Sequence, residues 1–206
     1  MTNKTLINPD LFLARAAKFY EAWNEQSEDV DCLYVLDNAS YSKSNTFQHH
    51  FFTYELTDVL TVFTKKGIYF LGSNKKAHFF DPIVSDDSRG AVPPIKILLR
   101  NKEDRDKANF ETLISFLKDN GISKIGHFAK DKYDSEFAKE WTKALTGAGL
   151  TERADMTGMM AEIAAEKDND AIERCKMSAK ASATSWNNFR RELVAIIDQE
   201  KVCIFN

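Results

Sequence analysis

Glu55 and Asp58 follow the adjacent pair His49 and His50 within one short stretch, Ser40 to Asp58. No other part of the chain gathers as many side chains able to do chemistry. Two carboxylates beside a cleft can act as general acid and base. More often such residues cap strands or bond loop backbone, and that role is expected for Glu55 and Asp58. The two histidines fail as a metal pair, because neighbours on a helix point about 100° apart and share no face. His78 and His127 stand alone, and no spacing of Cys, His or carboxylate completes a zinc or iron site. All four are read as surface or core histidines. The chain carries no nucleophile elbow, no glycine-rich phosphate loop and no Walker pattern. No catalytic residue, metal site or cofactor is expected.

Binding residues are a better match to the composition than catalytic ones. Lys75 and Lys76, with Lys43, Lys130 and Lys132, make either a basic patch or an ordinary solvated face. Tyr41 and Lys43 suit a protein partner instead, since aromatics and long side chains anchor interfaces. The candidate protein-interaction set is Tyr41, Lys43, Ser44, Gln48, Tyr54, Glu55, Lys75 and Lys76.

Bulk properties narrow the class. The 206 residues are 43% hydrophobic and 12% aromatic, enough for a real core. Lys and Arg number 28 against 31 Asp and Glu, for a net charge of -3. That balance argues against a dedicated nucleic-acid binder and against sequence-specific DNA contact. Cys32, Cys175 and Cys203 are odd in number and far apart, which fits a reducing compartment. No apolar run follows Met1-Thr2-Asn3-Lys4, and none approaches the ~20 residues that span a bilayer. A soluble intracellular protein without a membrane partner is expected.

The positioning elements follow from periodicity. Asn8-Pro9-Asp10 starts a helix, with Asn8 as cap and Phe12, Ala16, Phe19, Tyr20 and Trp23 as its apolar stripe. Cys32 to Leu36 is a short buried strand. The polar opening of the Ser40 stretch reads as a loop leading into a short aromatic helix with Phe47, Phe51 and Phe52. Val59–Phe63 and Ile68–Leu71 flank Lys65-Lys66-Gly67 as a hairpin, and both parities are apolar, so both sheet faces need cover. A helix capped by Ser73 or Asn74 carries Lys75 to Phe80, and 85–94 is a surface loop. Ile95–Leu99 and Lys124–Phe128 are further strands, each followed by an amphipathic helix, from about Asp104 and about Asp134. After Met156 come a short Ala/Met-rich helix, a charged break and one long helix from Ala171 to about Glu200. Its stripe Ile172, Cys175, Ala179, Ser182, Trp186, Phe189, Leu193 and Ile196 steps by three and four.

Several blocks together resemble one family. Tyr41-Ser42-Lys43-Ser44, Phe47-Gln48 and Phe52-Thr53-Tyr54-Glu55-Leu56-Thr57-Asp58 are similar to the signature of the large subunit of the FACT histone chaperone. So are Ser73-Asn74-Lys75-Lys76 with Phe79, Leu99-Arg100-Asn101-Lys102 with Asn109-Phe110, and Ile125-Gly126-His127-Phe128-Ala129-Lys130-Asp131-Lys132. Ala165-Glu166-Lys167-Asp168 and Ile197-Asp198-Gln199-Glu200-Lys201 extend the match. Two positions depart: His50 stands where the family pattern has Trp, and Thr53 where it has Gly.

The resemblance implies a fold and a role. The fold is α/β, a mixed sheet flanked by helices on both faces, akin to the N-terminal domain of creatinase and aminopeptidase P. It is expected over residues 1–156, with 157–206 as the helical start of an incomplete pita-bread lobe. The ligand-bearing part of a peptidase then has nowhere to sit, since the chain stops at Asn206. The implied role is a non-catalytic, nuclear, chromatin-associated module that binds core histones and a FACT-type partner subunit. The rivals are a metallopeptidase or creatinase-related fragment, and a module for other chromatin or replication factors. The stripe Ile172, Trp186, Phe189, Leu193 and Ile196 is expected to fold back onto the first lobe or to pair with another copy as a homodimer, the latter favoured.

Overall fold

Strands that are apolar on both faces are stable only when something covers each side. The computed structural model describes residues 6–26, 30–36 and 43–198 and provides that cover. In chain order the elements are α1 (Pro9–Gln26), β1 (Cys32–Leu36), α2 (Lys43–Phe52), β2 (Leu60–Thr64) and β3 (Gly67–Gly72). The short α3 (Asn74–Ala77) runs into a 3-10 turn, His78–Ile83. Then come β4 (Ile95–Leu99), α4 (Lys107–Asp119), β5 (Lys124–His127), α5 (Glu136–Gly147), β6 (Glu152–Asp155), α6 (Thr157–Ala165) and α7 (Asn169–Asp198).

The six strands lie in the order β4-β3-β2-β1-β5-β6. β1 and β2, and β2 and β3, pair antiparallel; β3 with β4, β1 with β5, and β5 with β6 pair parallel. The sheet is therefore mixed, with helices on both faces, as expected. Side-chain alternation along the strands divides the interior in two. Leu33, Val35, Phe63, Ile68 and Phe70 face α1, α2, the 3-10 turn and α6. Cys32, Tyr34, Leu36, Leu60, Val62, Tyr69, Leu71 and Ile125 face α4 and α5. The first core is dominated by rings: Phe12, Phe19, Phe47, Phe51, Phe52, Phe63, Phe70 and Phe80 are all fully buried.

Local chemistry sets the helix starts. The Asn8 side chain accepts a hydrogen bond from the Leu11 amide at 3.1 Å, and the Ser135 hydroxyl accepts one from Ala138 at 3.2 Å. α4 begins at Lys107 rather than near Asp104, because Arg105 and Asp106 both adopt positive φ, 56° and 63°, which no helix tolerates. The strained pair is held by the buried Asp106 carboxylate, which accepts from Arg100 Nε at 2.9 Å and from the Asn101 amide at 2.7 Å.

Two features depart from the sequence reading. β6 was not anticipated: Glu-Arg-Ala-Asp lacks apolar alternation, and it forms because an edge strand tolerates charge and β5 offers a free ladder. Secondly, the first unit does not close at Met156. α6 buries Met159 and Met160 in the first core, and the compact units are Met1–Ala164 and Ala165–Asn206. Gly126 makes this closure feasible, because a Cβ there would lie 2.6 Å from Met156 Cγ and 2.9 Å from the Cys32 carbonyl. In the second unit, α7 is a 30-residue helix with no buried residue, and Asp168 Oδ1 accepts from the Ala171 amide at 2.8 Å at its start.

Candidate protein-interaction surface

α2 is capped from a distant part of the chain. Its N-terminal amides at Lys43 and Ser44 are met by Asp131, from the loop after β5. Asp131 Oδ1 accepts from the Lys43 amide at 3.0 Å, and Oδ2 accepts from the Ser44 amide at 2.8 Å and the Ser44 hydroxyl at 2.6 Å. The Ser44 proton is thus committed to Asp131, so the Tyr133 hydroxyl, 2.9 Å away, donates to Ser44 Oγ. Burial pushes the Tyr133 phenol well above its ordinary range, so it remains a donor at neutral pH. The helix accordingly begins at Lys43, inside the stretch that composition alone reads as loop.

The buried face of α2 carries Phe47, Phe51, Phe52 and Gln48. Gln48 clamps the following turn: Nε2 donates to the Leu56 carbonyl at 2.9 Å and Oε1 accepts from the Leu56 amide at 2.7 Å. The turn bends sharply because Thr53 and Asp58 have φ of 53° and 51°. Thr53 occupies the position just past the helix where a left-handed residue closes the last turn, its amide bonding His49 O at 3.1 Å.

On the outer side, the same turn is bound to both neighbours. Glu55 Oε1 meets His49 Nε2 at 2.9 Å and Asn45 Nδ2 at 3.3 Å. Lys76 Nζ donates to the Thr57 carbonyl and, at 3.0 Å, to Thr57 Oγ1. The Tyr54 ring leans on Phe79 with centroids 5.8 Å apart, while half of Tyr54 remains in solvent. α2, the 53–58 turn and α3 therefore form one continuous surface that shows Asn45, His49, Tyr54, Glu55, Thr57, Lys75 and part of Lys76.

Of the residues singled out from sequence, Tyr54, Glu55, Lys75 and Lys76 come together here. Lys43 is exposed at the opposite end of α2, beside the Asp131 loop that carries exposed Lys130 and Lys132. The five lysines thus divide between the two ends of α2. Ser44 and Gln48 are buried and bonded internally, so they position the surface and offer nothing to a partner. Tyr41 lies outside the described residues. Sequence reasoning missed Asp131, Tyr133 and Thr57 as the residues that fix this surface. Asp131 was visible only as the acid at the end of the 125–132 block.

The chemistry-bearing groups lie elsewhere or are engaged. Glu55 is tied to His49 at the surface, and His78 pairs with Asp81. Among the described residues no three His, Cys, Asp or Glu gather as a metal site, and no helix is long and apolar enough to cross a membrane. Cys32 is buried, and burial pushes its thiol far above the ordinary range. His127 stacks on Tyr34 at 6.4 Å, and burial followed by Arg153 lowers its pKa against the opposing pull of Asp155 and Asp131. Burial raises the Asp155 pKa, but the Thr157 hydroxyl and amide, the Ala129 amide and His127 outweigh it and bring the group below its ordinary value.

Known proteins resemble this chain in sequence and in fold. The chain is 37% identical over 206 residues to the FACT complex subunit spt-16 of Caenorhabditis elegans, covering 96% of this chain and 20% of that protein. It is 33% identical over 204 residues to the subunit from Caenorhabditis briggsae, again covering 96% of this chain and 20% of that protein. The chain thus spans about a fifth of the length of the curated relatives it matches. The N-terminal domain of FACT complex subunit SPT16 from Cicer arietinum superposes with a TM-score of 0.82 at 24% identity, over 95% of this chain and 47% of that one. An X-Pro aminopeptidase from Thermotoga maritima shares the fold at a TM-score of 0.51 and 9% identity, over 77% of this chain and 38% of that one. The model of the FACT complex subunit SPT16 N-terminal lobe domain matches residues 7–159, and the chain belongs to that family.

Proposed function

We propose that the chain is a non-catalytic binding module of a FACT-type histone chaperone, acting on core histones in nuclear chromatin. One observation carries this reading. Three sequence blocks that bear the family resemblance, 43–58, 73–79 and 125–132, converge on α2 and its two ends. The resulting surface offers a half-exposed tyrosine with carboxylate and lysine neighbours, a composition suited to a protein partner. The slight acidic excess of the chain, a net charge of -3, favours a strongly basic partner over another acidic one. α7 is read as the first helix of a second, pita-bread lobe, with the boundary after α6. A FACT-type partner subunit is the second binding partner in this reading.

A pulldown of separated core histones by the whole chain tests it. Retention at low salt that weakens at high salt supports the module, because screening limits exposed-charge attraction to about 8 Å at physiological ionic strength. No retention at low salt, with capture of a FACT-type subunit or another chromatin factor instead, moves the function to those partners. Peptide cleavage with added manganese or cobalt tests the non-catalytic part, and turnover there overturns it.

A further inference from the structure

We infer that the pocket between the end of β4 and the starts of α4 and α5 receives a phosphorylated serine or threonine side chain of a protein partner. The pocket has a volume of about 280 Å³ and brings Arg100, Lys102 and Arg105 together with Asp106, Phe137 and Glu140. Its lining comes entirely from residues 100–140, under the helices that cover the sheet face opposite α6, so it is complete within the first unit. The block Leu99-Arg100-Asn101-Lys102 with Asn109-Phe110 builds it. That block contributes nothing to the α2–α3 surface, and this inference stands apart from histone binding.

Arg100 carries the argument. Its side chain is only 12% exposed, Nε donates to Asp106 Oδ2 at 2.9 Å, and the guanidinium lies 3.7 Å from the centroid of the Phe137 ring. Both supports are themselves held. Asp106 accepts from the Asn101 amide at 2.7 Å and from Asn109 Nδ2 at 3.3 Å, while Phe110 backs Phe137 at 5.6 Å between centroids. Among the described residues the two Nη groups of Arg100 donate to nothing. Donors so nearly buried need acceptors, and whatever fills the pocket supplies them. A guanidinium fixed at Nε and on one face presents its Nη edge as a fork for an oxyanion.

The surrounding charge favours a dianion. Lys102 and Arg105 make no ion pair among the described residues, and a positive φ of 56° at Arg105 brings it to the same pocket as the other two cations. Asp106 is spent on Arg100, and Glu136 on Lys139 at 3.0 Å. α4 and α5 both begin at the pocket and add the positive ends of two helices. Three cationic groups match the three terminal oxygens of a phosphoryl group better than the two of a carboxylate. Phe137 and the aliphatic stems of the cations offer an apolar wall to the carbon that carries the phosphate. Glu140 lines the same pocket and opposes the anion, which gives the site a signed test.

NMR titration of the whole chain with a short glycine–alanine peptide carrying a central phosphoserine tests the site. Saturable amide shifts centred on residues 100–106 and 136–140 are expected. The unphosphorylated peptide should be inert, and the same peptide with glutamate in place of phosphoserine, or inorganic phosphate alone, should bind roughly fivefold more weakly. Lys102→Gln and Arg105→Asn, the latter tolerant of positive φ, should each weaken binding about three- to fivefold at an unchanged thermal midpoint. Glu140→Gln should tighten it about twofold. Arg100→Lys, which keeps a charge beside Asp106 but loses the fork, should weaken it about tenfold. No shifts in these residues at millimolar phosphopeptide overturn the inference, as does binding indifferent to both Lys102→Gln and Arg105→Asn. Equal affinity for the glutamate peptide or for inorganic phosphate overturns it too. Histone retention by a chain that fails these tests would leave the binding proposal intact while removing this one.

Discussion

Asp131 caps α2 through Ser44, a residue 87 positions earlier in the chain. One carboxylate accepts two backbone amides and a hydroxyl, at 2.6–3.0 Å, and so fixes the start of the helix on which the proposed surface is built. Removing it leaves the amides of a partly buried helix end without their side-chain acceptor, a loss of about 2 kcal/mol. Asp131→Ala should therefore lower the melting temperature by roughly 4–8 °C. Asp131→Asn, which keeps an acceptor, should lose less. Thermal denaturation followed by circular dichroism checks both, and an unchanged midpoint for Asp131→Ala would show that the cap contributes nothing.

Thr53 is a β-branched residue at φ 53°, where the family pattern has Gly. The left-handed region costs an L-residue about 1–2 kcal/mol, and glycine's extra unfolded-state freedom returns roughly half of that. Thr53→Gly should stabilise the fold by about 1 kcal/mol and raise the midpoint by roughly 2–4 °C. A lower midpoint would mean that the threonine side chain contributes packing that outweighs the strain.

His127 gives the fold a signed pH dependence. Its folded pKa lies below the ordinary 6.5, so the unfolded chain binds the proton more readily than the native one. Stability is complete above the unfolded value and falls as pH drops through it toward the depressed folded pKa. His127→Gln should shrink the difference in melting temperature between about pH 7.5 and 5.5 relative to the parent chain. An identical difference in the two proteins would remove His127 from the balance.

The surface residues should separate binding from stability. Tyr54→Ala and Glu55→Lys should each weaken histone retention several-fold, while the midpoint shifts little. Exposed pairs such as His49–Glu55 contribute at most about 1 kcal/mol. Parallel losses of retention and of folding would make these residues structural.

Sequence made most of the sheet legible, because β1 to β4 are dense apolar runs, with β2 and β3 apolar on both parities. Asn8 was readable as a cap, since its partner lies three residues away, whereas the Ser135 cap of α5 was not singled out. β6 was not legible: an edge strand of Glu-Arg-Ala-Asp carries no apolar signal. Nor was the seating of α6, whose Ala/Met composition says nothing about which core receives Met159 and Met160. At the surface, residue types identified Tyr54, Glu55, Lys75 and Lys76, but not that Ser44 and Gln48 face inward. That depends on the distant Asp131 and on the Leu56 backbone, which no local pattern encodes.

The central claim, that the chain binds histones through the α2–α3 surface, is tested most directly by fluorescence anisotropy of labelled core histones titrated with the whole chain at several salt concentrations. The expected result is saturable binding whose affinity falls steadily with salt and drops several-fold in Tyr54→Ala. Absence of binding at the lowest salt, or an affinity indifferent to Tyr54→Ala and Glu55→Lys alike, would contradict it.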